Sequence, residues 1–270
     1  MLNVKDISLS FGPARILNRV QLQVSAGELH VIMGANGAGK STLLRAIAGE
    51  YMQYSGSILL NGQELRSIPV NEQARQRAVL SQQLSLLLPF TVEEVAGMGR
   101  YVYRAQENKY DKEIIAYALK LLQVYELRHR AYTTLSGGQQ QRVQMARVLA
   151  QLLETPDLQG TDYRGRKMLL LDEPVTGMDI LHQQLSLQLA TRLAAQGVLV
   201  LAVLHDFHLA AAYAQSISLL KDGHVHAQGT LDTVLTPAHI KTCFGVDVSV
   251  LHHPLCTYPM LVTNKNILTI

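Results

Sequence analysis

A glycine-rich segment that ends in lysine and serine contains the residues best suited to chemistry. In chain order it reads Gly34, Ala35, Asn36, Gly37, Ala38, Gly39, Lys40 and Ser41, with Thr42 next. It lies between a continuous apolar run, residues 29–33, and a helical pattern over residues 42–48. Glycines let successive backbone N–H groups turn inward, and the following helix adds positive potential. The pattern predicts a phosphate-binding loop in which Lys40 reaches the outer phosphates and Ser41 meets Mg²⁺. The alternative is a chance glycine-rich turn.

A second apolar run, residues 168–171, ends in two adjacent carboxylates, Asp172 and Glu173. The carboxyl ends of parallel strands face the ligand in phosphate-binding α/β sheets, so we expect both acids near the glycine-rich loop. There Asp172 would hold Mg²⁺ and Glu173 would act on the water that attacks the γ-phosphate. The alternative is a pair of acids that only caps the turn before Pro174.

A serine and two glycines precede a helical pattern in a third segment. The small residues and the glutamine after them are Ser136, Gly137, Gly138 and Gln139, and the apolar positions that follow are Val143, Ala146, Leu149 and Leu153. A helix that begins in this way leaves its N–H groups open to an anion. One triphosphate rarely needs two such termini from one chain, which indicates that this one serves a nucleotide held by another copy.

These segments resemble the ATP-binding cassette family, whose Leu-Ser-Gly-Gly-Gln signature precedes the acidic strand. The resemblance covers nearly all of residues 1–245. It implies an α/β, P-loop NTPase (RecA-like) fold with a mostly parallel sheet, an N-terminal antiparallel β-subdomain and an inserted α-helical subdomain. It also implies ATP and Mg²⁺ as cofactors, and a head-to-tail homodimer. In that dimer Ser136, Gly137, Gly138 and Gln139 bind the ATP of the partner copy.

Two further site residues are implied by the resemblance alone. Phe11, 29 residues before Lys40, matches the aromatic residue that stacks on adenine. The alternative is a core residue at the end of a strand. Gln82 matches the glutamine that contacts Mg²⁺ and reports γ-phosphate occupancy to the helical subdomain. Gln83 is the competing choice.

His205 and Asp179 complete the implied set. His205 follows the apolar run 198–204 at the place of the switch histidine, which contacts the γ-phosphate and orients Glu173; a core histidine is the alternative. Asp179 matches the aspartate at the dimer interface, although Thr-Gly-Met-Asp replaces the commoner Ser-Ala-Leu-Asp. It could also cap the helix that follows, and both roles are compatible. The implied catalytic groups are Glu173, His205, Gln82 and Lys40, and the implied Mg²⁺ ligands are Ser41, Gln82 and Asp172.

The elements that must position these groups are of two kinds. Residues 4–11 and 20–24 alternate apolar and polar side chains, which predicts antiparallel strands, and Asn61-Gly62 and Asp222-Gly223 predict tight hairpins. Continuous apolar runs at residues 29–33, 168–171 and 198–204 instead predict parallel strands that helices cover on both faces.

The rest of the chain is assigned from composition and helical spacing. Residues 84–134 lack a buried apolar run, so we expect an inserted helical subdomain within a cassette that spans residues 1–245. Residues 246–270 would form a tail packed on the core. Polar residues with glycine and proline predict a surface loop over residues 154–166. A short helix is predicted near residues 230–244.

Composition excludes several classes of protein. Of 270 residues, 48% are hydrophobic and only 17% are charged, which indicates a filled core rather than disorder. The net charge of +3 is spread along the chain, so no basic stripe suggests nucleic acid as a partner. The two cysteines form neither a disulfide framework nor a zinc motif. The longest apolar stretch has seven residues, far below the ~20 that span a bilayer.

Because no membrane-spanning segment is predicted, the chain resembles the separate ATPase subunit of a bacterial importer. The resemblance implies a peripheral position at the cytoplasmic face of the inner membrane and two transmembrane permease subunits as partners. A periplasmic substrate-binding protein would be an indirect partner. Coupling would run through a groove formed by residues 82–104, into which a short permease helix docks.

Weaker features point to the cargo. Gly99-Arg100-Tyr101 resembles a segment of the importers for iron-siderophores, cobalamin and haem, and the long segment 154–166 resembles the haem branch. Cobalamin and ferric siderophores are the alternatives, and a soluble ATPase without a transport role is a third possibility. His224 and His226 are expected to be exposed rather than to bind the cargo.

Overall fold

The computed structural model describes residues 1–81, 88–106, 109–158, 163 and 166–263. Its strands are β1 (Leu2–Phe11), β2 (Ala14–Val24), β3 (Leu29–Gly34), β4 (Ser55–Leu60), β5 (Gln63–Glu64), β6 (Arg77–Leu80), β7 (Met168–Asp172), β8 (Leu199–Val203), β9 (Ser216–Lys221), β10 (His224–Gly229), β11 (Val248–Leu251) and β12 (Met260–Thr263). Its α-helices are α1 (Lys40–Ile47), α2 (Val70–Gln76), α3 (Val92–Gly97), α4 (Asp111–Leu121), α5 (Gly137–Leu152), α6 (Ile180–Ala195), α7 (Phe207–Tyr213), α8 (Leu231–Val234) and α9 (Pro237–Phe244).

The alternating segments form an antiparallel sheet, as predicted. Its order is β2-β1-β4-β5 over the described residues, and β1 pairs antiparallel with both β2 and β4. Asn61 and Gly62 connect β4 to β5 with φ angles of 51° and 85°, the positive values that a tight hairpin needs. Asp222 and Gly223 do the same between β9 and β10, at 48° and 75°.

The continuous apolar runs form the interior of a second sheet, whose order is β10-β9-β3-β8-β7-β6. All its pairings are parallel except the one between β9 and β10. Alternate residues of β7 enter different hydrophobic clusters. Leu169 and Leu171 face the side of the helical segment, whereas Met168 and Leu170 face α1 and the antiparallel sheet. Because both faces are covered, these strands need no polar side.

The register of this sheet decides where the chemistry lies. Val203 pairs with Ile32 of β3 on one side and with Asp172 of β7 on the other. The carboxyl ends of β3, β8 and β7 therefore meet at one edge of the sheet. The glycine-rich loop, His205 and Glu173 each follow one of these ends. Strand β6, which the sequence reasoning missed, extends the same parallel sheet beyond β7.

A helical layer packs on one face of the sheet. Residues 88–106 and 109–134 contain α3, α4 and several 3-10 helices, one of which is Met98–Gln106. Helix α5 packs against them. The buried Arg100 joins these parts. Its Nη1 donates to the carbonyls of Ala150 and Leu153 at the end of α5, at 2.6 and 2.7 Å, and its Nε lies 2.8 Å from Asp111 Oδ1. The bounds of the helical subdomain stay a prediction.

Two local predictions were wrong. The segment 154–166 is not only a surface loop, because Leu158 and Tyr163 belong to the core and the Tyr163 side chain is 1% exposed. Polar composition hid these two apolar anchors. The helix predicted near residues 230–244 is two helices, α8 and α9. Pro237 starts α9, where its missing N–H costs no hydrogen bond, and the Thr236 side chain caps it.

The tail packs on the core over its described part, which ends at residue 263. Strands β11 and β12 form an antiparallel pair. Val248 is buried, Tyr258 and Leu261 pack against the core cluster, and the Tyr258 ring lies 5.5 Å from the ring of His208. Among the described residues, no helix combines the length and the apolar character that crossing a membrane requires.

Candidate nucleotide-binding site

The loop between β3 and α1 owes its shape to glycines at two positions. Gly39 precedes the first residue of α1 at φ 99°, and a Cβ there would lie 2.9 Å from Leu17 Cδ2. Gly37 has φ 80°. Side chains are strained in both conformations, so this path is open only to glycine at low cost. The N terminus of α1 thereby points into the space that the loop encloses.

Lys40 is held inside its own loop. Its Nζ donates to the carbonyl oxygens of Gly34 and Ala35, at 2.8 and 2.9 Å. Burial lowers the pKa of the Lys40 ammonium, while the nearby charges of Glu173 and Asp172 oppose the shift. The two carbonyl oxygens therefore accept hydrogen bonds from Lys40 that phosphate oxygens can accept instead when a nucleotide binds.

Ser41 and Asp172 form the part of the site suited to a divalent cation. The Ser41 hydroxyl donates to Asp172 Oδ1 at 3.1 Å. Asp172 is 2% exposed, and burial raises its pKa, although the hydrogen bond from Ser41 opposes that rise. A buried carboxylate beside a hydroxyl is a set of hard oxygen donors, which fits Mg²⁺. The third predicted ligand, Gln82, lies outside the described residues.

Glu173 and His205 lie against each other at the edge of the sheet. His205 Nε2 is 2.7 Å from Glu173 Oε1, although the two residues are 32 positions apart in the chain. Glu173 has φ 52°, in the left-handed region, and its N–H donates to the carbonyl of Val203 at 3.2 Å. Such a conformation costs about 1–3 kcal/mol and is typical of functional sites. The alternative of a core histidine is wrong, because His205 is exposed.

These groups line one cleft of about 810 Å³. Its lining residues are Ile16, Asn36, Gly37, Gly39, Lys40, Ser41, Thr42, Glu173 and His205. Gly34 and Ala35 contribute through their carbonyl contacts with Lys40, and Ala38 is buried behind the loop. Sequence reasoning missed Ile16, because its place in a strand carries no sign that the strand passes beside the glycine-rich loop.

Phe11 is the remaining residue predicted to bind ATP in its own chain. Its side chain is 42% exposed, so the alternative of a core residue is wrong. Its ring meets the ring of Tyr51 edge-on at a centroid distance of 5.1 Å. Phe11 is not among the described residues that line the cleft. Adenine stacking on Phe11 stays a prediction.

A second cleft collects the residues predicted to serve a partner copy. It is lined by Ser136, Gly137, Gly138, Gln139, Arg142, Gly177, Met178, Asp179 and His182. Ser136 and Gln139 form a reciprocal cap at the start of α5. The Ser136 hydroxyl accepts from the Gln139 N–H at 3.4 Å, and Gln139 Oε1 accepts from the Ser136 N–H at 3.0 Å.

The loop of Asp179 forms the other wall of this cleft. Asp179 caps α6, as the capping alternative expected, by accepting from the His182 N–H at 3.0 Å. That hydrogen bond lowers the pKa of Asp179, and the His182 ring adds a contact of 2.7 Å. A Cβ on Gly138 would lie 2.8 Å from the carbonyl oxygen of Gly177, so the two walls touch where glycine is required. Sequence reasoning missed Arg142 and His182.

No described residue lines both clefts. They are nevertheless linked, because Gln141 of α5 donates to the carbonyls of Glu173 and Pro174, at 3.5 Å each. One chain therefore carries a phosphate-binding cleft and a separate cleft lined by the signature residues. The hydrogen bonds of Gln141 connect the helix of the second cleft to the segment that holds Glu173.

The chain belongs to the ABC transporter family, whose family model matches residues 17–176. It is 43% identical to the hemin import ATP-binding protein HmuV of Pseudomonas entomophila (strain L48), over 97% of this chain and 100% of that protein.

Solved structures give the same fold. A structure described as the ATP-binding subunit of an ABC transporter matches with a TM-score of 0.73 and 28% identity, over 91% of this chain and 93% of that one. A dimeric bacterial ABC transporter cassette matches with a TM-score of 0.72 and 25% identity, over 86% and 99%.

Proposed function

We propose that this protein is the ATP-hydrolysing subunit of a bacterial ABC importer that takes up haem. The observation that carries the hydrolytic part is the 2.7 Å contact between Glu173 and His205 at the mouth of a phosphate-binding loop. A loop that only bound nucleotide would need neither a carboxylate base nor a histidine beside it.

The residues of the cleft divide the work. The backbone N–H groups of the loop and Lys40 bind the β- and γ-phosphates of ATP. Glu173 takes a proton from the attacking water, and His205 holds the carboxylate and reaches the γ-phosphate. Ser41 and Asp172 would hold Mg²⁺, which neutralises charge on the phosphate oxygens when it is bound.

Two copies work as a head-to-tail homodimer. Support comes from the separation of the two clefts, since the signature residues do not line the phosphate cleft of their own chain. The capped N terminus of α5 then meets the γ-phosphate of the partner's ATP, and Asp179 lies at the interface. The match to a dimeric cassette supports this arrangement.

Two permease subunits dock on the helical side of the dimer. A groove there is lined by Phe90, Glu94, Gly97, Met98, Arg100, Tyr101, Arg104, Asp111 and Ile115. Tyr101 is 66% exposed on this groove, and Arg100 at its base holds the carbonyl end of α5. A permease helix in the groove would therefore press on the helix that begins with the signature. Docking places the subunit at the cytoplasmic face of the inner membrane, and a periplasmic carrier delivers cargo to the permease.

Haem is favoured as cargo over cobalamin or a ferric siderophore. A relative with 43% identity is named a hemin import protein. The 33 positions from Gln139 to Asp172, lengthened by segment 154–166, resemble the long spacing of the haem branch of the family. Growth with haem as the only iron source tests the assignment. We expect deletion of the gene to abolish this growth, and the wild-type gene but not Glu173→Gln to restore it.

Growth of the same deletion strain on a ferric siderophore, and its cobalamin-dependent growth, provide the controls. Both are expected to be unaffected. Normal growth of the deletion strain on haem would contradict the cargo. Lack of ATP hydrolysis by the purified wild-type chain, with and without permease membranes, would contradict the enzymatic proposal itself.

A further inference from the structure

Both carboxylate oxygens of Glu173 accept a hydrogen bond from a side chain of the same chain. His205 Nε2 lies 2.7 Å from Oε1, and the Thr176 hydroxyl donates to Oε2 at 3.2 Å. Thr176 is also tied back through its N–H, which donates to the Glu173 carbonyl at 3.4 Å. The threonine belongs to the Thr-Gly-Met-Asp segment that precedes α6.

We propose that Thr176 is a positioning residue for hydrolysis, which fixes the plane of the Glu173 carboxylate. The terminal torsion of a glutamate side chain is broad, so a single hydrogen bond leaves the carboxylate free to rotate about its own axis. Donors on both oxygens remove that freedom. A carboxylate offers about four lone-pair sites, so the attacking water still finds an acceptor.

The backbone geometry gives the hydroxyl this role. The left-handed conformation of Glu173, φ 52°, begins a short turn that returns the chain over its own carboxylate. The β-branch of threonine restricts its χ1 angle, so its hydroxyl is held toward Oε2 with little entropy to lose. Thr176 is exposed and is not among the described residues that line the phosphate cleft. Replacing it should therefore disturb neither folding nor ATP binding.

The inference rests on the proposed ATPase activity and is tested with the purified full-length chain. Thr176→Val keeps the shape and removes the hydroxyl, whereas Thr176→Ser keeps the hydroxyl. We expect kcat for ATP to fall roughly three- to tenfold in Thr176→Val, the range of one lost hydrogen bond, with KM unchanged. Thr176→Ser should stay within about twofold of wild type.

A second background separates positioning from a structural effect. In Glu173→Gln the carboxylate is already gone, so adding Thr176→Val should not lower the residual rate further. An unchanged kcat in Thr176→Val, or an equal loss in the Glu173→Gln background, overturns the inference while wild-type turnover keeps the proposed function. An inactive wild type would instead overturn the proposed function.

Discussion

Asp172 shows at the residue scale how function opposes stability in this site. Its carboxylate is almost fully buried at the end of β7 with one hydrogen bond from Ser41. Burial raises its pKa, so the ionised form is less stable in the folded chain than in the unfolded one. Above its ordinary pKa, the group therefore lowers the free energy of unfolding until a cation pairs with it. A hydrophobic residue there would fold better and bind no metal.

Asp172→Asn tests this opposition. We expect the nucleotide-free variant to melt at a higher temperature than wild type, because the buried charge is gone while Ser41 keeps an acceptor. We also expect ATP hydrolysis to fall by roughly a hundredfold or more, as for other lost charge-stabilising groups, and Mg²⁺-ATP to raise Tm less. Thermal melting with and without Mg²⁺-ATP measures the two changes in Tm, and an ATPase assay measures the loss of hydrolysis. Asp232→Asn, at an exposed acid, is the control. A lower Tm without nucleotide would contradict the argument.

At the element scale, β3 carries a buried histidine that the chemistry does not use. His30 lies between two serines of β9, with Nδ1 2.7 Å from Ser216 Oγ and Nε2 2.8 Å from Ser218 Oγ. Ser216 donates to Glu28, so it accepts from Nδ1 of the histidine. With the ring neutral, Nε2 in turn accepts from the Ser218 hydroxyl. Burial lowers the pKa of His30 from 6.5 to about 3.

The stability of the fold should therefore depend on pH through His30. The neutral ring stabilises the fold fully above about pH 6.5, and this contribution falls as the pH drops, because the unfolded state binds the proton first. The loss from pH 7 to pH 5 is about 2 kcal/mol, at ~1.4 kcal/mol per pH unit below 6.5. Urea unfolding of wild type and His30→Gln should show their stability difference shrinking by this amount. A constant difference would contradict it, and the exposed His224→Gln is the control.

Close approach of the Met98–Gln106 helix to α5 depends on one glycine. A Cβ on Gly99 would lie 2.1 Å from the carbonyl oxygen of Arg147, which belongs to the backbone of α5. Gly99→Ala is expected to lower the free energy of unfolding by about 1–3 kcal/mol, the range for overpacking, and to slow ATP hydrolysis by displacing the signature helix. Gly97→Ala is the matched control, since its Cβ would meet only Ile115 Cδ1 at 3.5 Å. Equal stability of the two variants, measured in urea, would refute the argument.

At the scale of the whole molecule, each chain carries two clefts, one for the phosphates and one lined by the signature residues. In the proposed dimer, each cleft of one chain completes an ATP site with the other kind of cleft from the partner copy. Glu173→Gln should bind ATP, hydrolyse it only at a low residual rate and so accumulate as a dimer, visible by sedimentation at saturating Mg²⁺-ATP. Adding Ser136→Arg should return it to a monomer, because the long side chain fills the signature cleft. A Glu173→Gln chain that stays monomeric at saturating ATP would contradict the shared site.

The exposed groove on the helical side predicts a separation between hydrolysis and transport. Tyr101→Ala should leave the ATPase rate of the purified chain within about twofold of wild type, because Tyr101 lines neither cleft and surface changes have small effects. Growth on haem should be lost, because the permease loses an apolar contact. Leu255→Ala removes an even more exposed apolar side chain, on the tail, and is expected to support growth. Normal growth of Tyr101→Ala would contradict the assigned docking site.

Local chemistry was readable from the chain alone. The spacing of Lys40 and Ser41, the carboxylates after β7 and the helix cap at Asp179 depend on neighbours a few residues away, so turn geometry and helix termini determine them. The hairpins at Asn61-Gly62 and Asp222-Gly223 were predictable for the same reason.

The tertiary structure decides which distant groups meet, and of these pairs the resemblance to a family implied only that of His205 with Glu173. The contact between Glu173 and His205 depends on β7 and β8 being neighbours, and the place of Ile16 depends on β2 passing beside the glycine-rich loop. The burial of Tyr163, within a polar segment, likewise depends on a core assembled from remote parts of the chain. Packing pairs side chains across long separations, and no local pattern of residues encodes those pairs.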